Sequence, residues 1–326
     1  MRSLDLRAED KTTRGVLVVA IAASLAAACA SSVSRVDTTV GSSPETRFVE
    51  LRGVRLHYRE SAPAASGAPA LLLIHGFGGS TESWNDVLPM LSGAHATIRL
   101  DLKGFGLSGK PRDSDYSLDE QAELVSDFVE AARHPRVVLV GQSYGGAVAF
   151  LSYLKLRERG RAGRVAGLVL IDAAAYGQDP LPFFVAGLRH PFTRFIAEHL
   201  TTRAWRTRFV LRRLFVDKTK VDRERVERYA KYLRLPGAEP AMAKVAAQVL
   251  PADPRSVSAR LTTIDVPTAV IWGEKDPAIP LALGRRLASD IPRATLAVLA
   301  DVGHVPHEEA PQRTAELILR FTDALP

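Results

Sequence analysis

Residues 137–147 read Val137-Val138-Leu139-Val140-Gly141-Gln142-Ser143-Tyr144-Gly145-Gly146-Ala147. The four leading apolar residues are typical of a buried parallel strand, and small residues that suit a helix follow Gly145. Glycines two residues before and two residues after Ser143 permit a turn so sharp that the serine side chain projects above the sheet edge. This pattern of strand, turn and helix predicts a nucleophilic serine. A serine that merely caps a helix would also explain the turn, but it would leave the partner motifs below unexplained.

Composition sets the broad class of the chain. With 326 residues, 46% of them hydrophobic, it can bury a large core as one domain with room for an inserted subdomain. The single cysteine, Cys29, excludes a disulfide within the chain and a multi-cysteine metal site. The spacing of histidines and carboxylates predicts no metal cluster, so we expect neither a metal nor another cofactor.

The N-terminus has the pattern of a bacterial export signal. Residues 15–28 are apolar or small, too few to span a bilayer comfortably, and four basic residues precede them: Arg2, Arg7, Lys11 and Arg14. The sequence Ala-Ala-Ala-Cys at 26–29 resembles a lipobox, although Leu25 stands one place further out than the leucine of that pattern. We expect a signal peptide at 1–28, a lipid on Cys29, a flexible tether at 29–46 and a location in the cell envelope. Plain secretion and an uncleaved anchor are the alternatives.

Alternation and apolar runs predict the remaining strands and one clear helix. Strands at 48–51 and 54–58 form a hairpin around Arg52-Gly53, and an amphipathic helix at 117–132 begins with a capping box. Further strands are expected at 71–74, 96–100, 165–171, 266–272 and 294–299. Alternating strands and helices with mostly apolar strands indicate an α/β fold with a parallel central sheet.

Three further motifs follow predicted strands. Residues 101–111 fit Asp-x-x-Gly-x-Gly-x-Ser-x-x-Pro, residues 272–280 fit Trp-Gly-x-x-Asp-x-x-x-Pro, and residues 303–311 fit Gly-His-x-Pro-x-x-Glu-x-Pro. Together with Gly-x-Ser-x-Gly they resemble the α/β-hydrolase family in its lid-containing form, over about residues 48–324. The resemblance implies an α/β-hydrolase core at 47–176 and 259–326.

The resemblance also implies a role for each site residue. In the family order of serine, acid and histidine, Ser143 would be the nucleophile, Asp276 the acid and His304 the base. A serine hydroxyl is a weak nucleophile at neutral pH, so His304 would take its proton while ionised Asp276 orients and stabilises the imidazolium. The backbone N–H groups of Phe77 and Tyr144 would form the oxyanion hole.

Each role has a rival that the residues leave open. Asp172 ends a buried strand, where some branches of the family carry the acid, or it caps a turn. His307 is a second candidate base, three residues after the first. His75 is better interpreted as a loop organiser than as a proton carrier, and Asp101 as part of the pocket wall.

Residues 177–258 lose the strand pattern and show helical periods broken by prolines, which predicts a helical lid inserted over the site. Between residues 177 and 250 there are fifteen Lys and Arg against seven Asp and Glu, a net charge of +8 compared with +7 for the whole chain. The lid aromatics and arginines either pack on the core beneath a solvated face, or line an acyl pocket and contact anionic lipid headgroups.

The predicted function is that of a serine hydrolase, similar to a carboxylesterase or lipase, acting on an apolar acyl ester. The same triad also serves the hydrolysis of carbon-carbon bonds, lactones and amides, as well as acyl transfer and perhydrolysis. A ligand-binding protein with negligible turnover is the alternative of another class. The expected partners are a small apolar ester and a membrane surface, reached through Cys29 and the basic lid, with no nucleic acid.

Overall fold

The computed structural model describes residues 46–61, 68–112, 115–176, 182–250 and 259–326, all within one compact unit, Val36–Pro326. The predicted signal peptide, Cys29 and nearly all of the predicted tether lie outside these residues. Within them, no helix combines the length and apolar character needed to cross a membrane.

The centre of the fold is an eight-stranded sheet in the order β1-β2-β4-β3-β5-β6-β7-β8. The first two strands form an antiparallel hairpin and β2 runs antiparallel to β4, whereas all other neighbouring strands are parallel. The strands are β1 Thr46–Leu51, β2 Val54–Glu60, β3 Ala70–Ile74, β4 Thr97–Leu100, β5 Val137–Gln142, β6 Val165–Ile171, β7 Thr268–Gly273 and β8 Ala294–Leu299. The predicted α/β fold with a mostly parallel sheet is confirmed.

The apolar runs occupy the middle of the sheet because both of its faces are covered by helices. Every residue of β3, β5 and β6 is buried, whereas the edge strand β8 is only half-buried. The prediction placed the start of β7 two residues too early. Its first pair with β6 is Thr268 with Leu168, and the preceding residue, Pro267, has no N–H to donate.

Eleven α-helices have bounds within the described residues. They are α1 Leu88–Leu91, α2 Leu118–Ala131, α3 Tyr144–Glu158, α4 Phe183–Arg189, α5 Pro191–Leu200, α6 Arg203–Leu214, α7 Arg223–Ala230, α8 Ala238–Ala247, α9 Leu281–Asp290, α10 Pro306–Glu309 and α11 Pro311–Asp323. Helix α2 begins as predicted, with the Ser117 side chain accepting a hydrogen bond from the backbone N–H of Glu120.

Helices α4–α8 all lie between β6 and β7, where the sequence predicts a helical insertion. They have a small core of their own, which includes Leu211, Phe215 and Val226 and packs on Val305 beside the end of the sheet. The inserted segment therefore lies next to the loops that follow the parallel strands.

Candidate active site

Ser143 lies on a strained turn between β5 and α3. Its backbone has φ 52° and ψ −117°, a region that residues with a side chain rarely adopt. A Cβ on Gly141 would overlap the carbonyl group of Gly145, and a Cβ on Gly145 would overlap the carbonyl oxygen of Ile74 in β3. Both glycines are therefore needed for the turn to close against the sheet, and the predicted sharp turn is confirmed.

The loop after β3 faces this turn. Residues 76–79 and Ser143 line one cavity, and Phe77 and Tyr144 make an edge-to-face contact with ring centroids 6.5 Å apart. In the described part of the chain, neither the N–H of Phe77 nor that of Tyr144 has a hydrogen-bond partner. Tyr144 is the first residue of α3, so its N–H precedes the helical hydrogen-bond pattern. Both groups are thus free to bind an oxygen atom.

Asp276 and His304 lie on the loops after β7 and β8. One oxygen of Asp276, Oδ1, accepts hydrogen bonds from the backbone N–H groups of Ala278 (2.7 Å) and Ile279 (2.9 Å). The other, Oδ2, lies 2.7 Å from Nδ1 of His304, and Nε2 of His304 lies 2.9 Å from Oγ of Ser143. Because an ionised carboxylate can only accept, Nδ1 donates to Asp276 and Nε2 is left to accept the proton of the serine.

The histidine loop is held by groups that the sequence did not identify. The N–H of His304 donates to the carbonyl oxygen of Leu214 in α6 (2.9 Å), and the His304 carbonyl accepts from the side-chain amide of Gln142 (2.8 Å). The carboxylate of Glu309 accepts from the N–H groups of Gly303 (2.7 Å) and Asp217 (2.6 Å). Glu309 is the glutamate of the motif at 303–311, so the sequence could have indicated its role in the histidine loop. The role of the Leu214 carbonyl group has no signal in the sequence.

Asp172 lies beside the Asp276–His304 pair. It is completely buried, its Oδ1 accepts from the N–H of Gly273 (2.9 Å), and one polar atom each from Asp172, Asp276 and His304 lie within 4.8 Å of one another. Its Oδ2 has no hydrogen-bond donor among the described residues. Burial, and then the charge of Asp276, raise the pKa of Asp172 well above its ordinary value. Burial and the neighbouring Asp276 thus favour the protonated form of Asp172, and the 2.7 Å contact with His304 belongs to Asp276.

The two rival histidines are placed differently from His304. His307 packs on Trp84 with ring centroids 4.5 Å apart, and neither of its ring nitrogens is hydrogen-bonded to a described residue. Burial, followed by the charges of Arg225 and His304, lowers the pKa of His307 to about 3, so it is neutral at physiological pH. The geometry favours His304 as the base.

His75 and Asp101 connect loops. Nδ1 of His75 lies 2.7 Å from the carbonyl oxygen of Gly76, and its Nε2 accepts from the N–H of Leu102 (3.1 Å). Asp101 accepts from the N–H groups of Thr81 (2.6 Å) and Leu107 (2.8 Å), and its Oδ2 lies 2.6 Å from Nδ1 of His57. These contacts fit the structural roles predicted for both residues.

A cavity of about 310 Å³ lies above Ser143 and His304. Its walls are mostly apolar and come largely from the inserted segment, with Phe183, Phe184, Trp205, Phe209, Leu211 and Leu233 among them. A second cavity of about 40 Å³ reaches Ser143 from the side of Tyr144 and Ile279. The serine thus faces a large apolar space and a small one, as a site for an apolar molecule should.

The sequence model of the alpha/beta hydrolase family matches residues 71–317, and the chain belongs to this family. The chain is 29% identical to the uncharacterized hydrolase YugF of Bacillus subtilis, over 86% of this chain and 98% of that protein. It is 30% identical to the dihydrolipoyllysine-residue acetyltransferase component of the acetoin cleaving system of Pseudomonas putida, over 85% of this chain and 69% of that one.

A crystal structure of a membrane phospholipase A superposes with a TM-score of 0.66 at 25% identity, covering 96% of this chain and 94% of that one. The family match and the hydrolase YugF support a hydrolase enzyme, although the relatives also include an acetyltransferase component.

Proposed function

We propose that the protein is a serine hydrolase that cleaves a carboxylic ester with a large apolar group through an acyl-enzyme. The observation that carries the proposal is the continuous chain of hydrogen bonds from Asp276 through His304 to Ser143, at the floor of an apolar cavity. Supporting it, the loop N–H groups beside the serine are unpaired among the described residues.

In the proposed mechanism, Nε2 of His304 takes the hydroxyl proton as Oγ of Ser143 attacks the ester carbonyl carbon. The carbonyl oxygen becomes an oxyanion, which accepts hydrogen bonds from the N–H groups of Phe77 and Tyr144. The imidazolium then gives its proton to the alcohol oxygen as the carbon-oxygen bond breaks. In deacylation, water loses a proton to Nε2 of His304 and attacks the acyl carbon. The bond between Oγ of Ser143 and the acyl carbon then breaks, His304 returns the proton to Ser143, and the carboxylic acid leaves.

The substrate class follows from the cavity walls. Polar residues such as Arg194, Arg206 and Glu239 also line the large cavity, but most of its surface is apolar, so apolar contact should supply most of the binding. In this proposal the inserted segment acts as the lid that supplies most of these walls. The two cavities of unequal size suggest one large and one small group on either side of the ester carbon.

The test is hydrolysis of p-nitrophenyl esters from acetate to palmitate, with labelling by a fluorophosphonate probe. Ser143→Ala should remove labelling and lower kcat by at least about 10⁴-fold. The matched pair His304→Gln and His307→Gln separates the two candidate bases, because only the first should abolish turnover. Folded protein that neither turns over any ester nor reacts with the probe would refute the proposal and favour a ligand-binding role.

We also propose, from the N-terminal sequence alone, that the protein is exported to the bacterial envelope and carries lipid on Cys29. Mass spectrometry of the mature N-terminus tests this. A terminus at Cys29 with added acyl mass is expected, and an unmodified terminus elsewhere would contradict it.

A further inference from the structure

Large exposed apolar side chains are concentrated on three consecutive helices. Of the eight that the described residues contain, six lie on α4, α5 and α6: Phe183, Phe192, Phe195, Leu200, Trp205 and Phe209. With roughly 200 Å² for a whole aromatic side chain, the exposed fractions of the five aromatics leave about 500 Å² in water, which is comparable with the largest apolar patch of a typical monomer, a patch that is often functional.

Helix α5 contributes most to this surface, and no described residue buries its aromatic rings. Phe192 is 63% exposed, Phe195 56% and Leu200 72%, and none of the α5 side chains that the structure describes is buried. Phe192, Phe195 and His199 share one helix face, and the rings of Phe195 and His199 are stacked with centroids 4.2 Å apart. An amphipathic helix of ten residues gains little stability in water without packing, so a surface that covers this face should stabilise it.

The three helices form one continuous surface. Phe183 of α4 contacts Phe209 of α6 with ring centroids 6.0 Å apart, and Phe209 stacks on Trp205 at 5.3 Å. The hydroxyl of Thr193, near the start of α5, donates to the carbonyl oxygen of Gly187 in α4. The aromatic rings of α4 and α6 are therefore in contact with one another, and α5, with its own exposed rings, is joined to α4 at its first turn.

The charge around this patch is strongly positive. Residues 182–214 contain seven arginines and one acidic residue, Glu198. Arg203 and Arg206 pair with Glu239, and the guanidinium of Arg213 lies 3.7 Å from the ring centroid of Phe209. The exposed Arg208 and Arg212 have no hydrogen bond or ion pair with another described residue.

Helix α6 puts apolar and cationic groups on the same side. Trp205, Arg208 and Arg212 are spaced i, i+3 and i+7, and Phe209 lies beside them, so one face presents an indole ring, a phenyl ring and two cations. A protein partner with an apolar surface would cover the rings but leave the arginines without counter-charges. The surface of an anionic bilayer offers acyl chains and phosphate groups together.

We propose that the exposed face of α4–α6 is a docking surface for an anionic lipid bilayer, with its aromatic rings in the interface and its arginines on phosphates. The docking surface comprises Phe183, Phe192, Phe195, Leu200, Trp205, Phe209, Arg208 and Arg212. Because Phe183, Trp205 and Phe209 are exposed and also line the large cavity, they form part of its rim. Docking would therefore place the cavity entrance on the membrane, and, if the proposed function holds, apolar esters would enter directly from the lipid phase.

Trp205 provides a local probe of this docking. The chain has three tryptophans, and the other two, Trp84 and Trp272, are fully buried, whereas Trp205 is 54% exposed. Full-length Ser143→Ala protein is mixed with vesicles of equal parts phosphatidylglycerol and phosphatidylcholine, and tryptophan emission is recorded. A shift to shorter wavelength and quenching by brominated acyl chains are expected, with little response to phosphatidylcholine alone and weaker binding at high salt. A lipid anchor at the N-terminus would not by itself move this signal.

Charge and aromatic variants test the two parts of the surface. Arg208→Gln/Arg212→Gln should weaken the response about fivefold for each arginine removed. Arg161→Gln/Arg285→Gln, which removes two exposed arginines from other parts of the surface, is the matched control and should change binding far less.

Phe192→Ser/Phe195→Ser, which does not touch the cavity, should abolish the Trp205 response. If the response survives in this variant, a lipid molecule inside the cavity explains the signal and the docking surface is wrong.

Other outcomes also overturn the proposal. If the protein sediments with anionic vesicles without any change in Trp205 emission, another part of the chain binds the vesicles and the docking surface is wrong. A blue shift that grows with protein concentration in the absence of vesicles, together with a larger sedimentation coefficient, would identify a second copy of the chain as the occupant. Because the assay uses Ser143→Ala protein, a lack of ester hydrolysis leaves it unaffected, and loss of docking leaves hydrolysis of soluble short esters intact.

Discussion

Replacing Asp172 with asparagine tests whether this buried carboxyl is neutral in the folded protein. The asparagine side chain would keep an oxygen for the N–H of Gly273, now 2.9 Å from Oδ1 of Asp172, and would turn an amide N–H toward Asp276. A protonated Asp172 makes the same two interactions. We therefore expect Asp172→Asn to fold normally and to keep its kcat/KM within about threefold of the wild type.

The magnitude follows from proton linkage. The unfolded chain has an ordinary aspartate with a pKa of about 3.9, and burial raises the pKa of Asp172 in the folded protein. The proton on Asp172 stabilises the folded protein fully at pH values below the pKa of this residue in the unfolded chain. This stabilisation is lost as the pH rises through the pKa of Asp172 in the folded protein. Each pH unit in that window removes about 1.4 kcal/mol. As the pH rises from the unfolded toward the folded pKa, the wild type should therefore lose unfolding free energy relative to Asp172→Asn.

The assay is urea denaturation of both proteins at several pH values between 4 and 7, followed by tryptophan fluorescence. Taking the difference between the two proteins cancels the titration of groups that they share. Equal pH slopes would mean that Asp172 is ionised in the folded state and would refute the reasoning. Asp172→Ala is a useful contrast, because it removes the donor to Asp276 and should lower kcat where the asparagine variant does not.

Three more changes test the parts around the histidine. A Cβ at Gly303 would overlap the carbonyl oxygen of Leu214, so Gly303→Ala should lower the free energy of unfolding by about 1–3 kcal/mol and reduce turnover. The control is Gly163→Ala, whose new Cβ has no atom within contact distance. A thermal melt should show a loss of stability for the first variant and no comparable loss for the control. Glu309→Ala leaves two backbone N–H groups without their acceptor, and a loss of about 1–3 kcal/mol for each, measured by urea denaturation, is expected. Asp276→Asn should keep the fold but lower kcat about 10⁴-fold through the wrong imidazole tautomer, and retention of near-wild-type kcat would remove this residue from the mechanism.

The sequence predicted the sheet well because each central strand is a short apolar run, which is stable only when it is buried. The strands at 165–171 and 294–299 were placed at their observed bounds, whereas the predicted start of β7 was two residues too early and its predicted end one residue too early. The bounds of the C-terminal helices were not predicted: a short helix, Pro306–Glu309, contains His307, and Pro311–Asp323 follows it.

Motif spacing predicts Ser143, Asp276 and His304 as a triad, and it predicts their proximity because each follows a parallel strand and the carboxyl ends of such strands meet at one edge of the sheet. It favours Asp276 over Asp172 by resemblance, but both follow neighbouring strands, and motif spacing does not show which carboxylate oxygen reaches His304. Only the tertiary structure shows that Asp276 contacts His304, that Leu214 supports the histidine loop, and that the aromatic rings on α4–α6 are exposed. Local patterns report the periodicity and chemistry of a segment, whereas burial and contact depend on which segments the folded chain brings together.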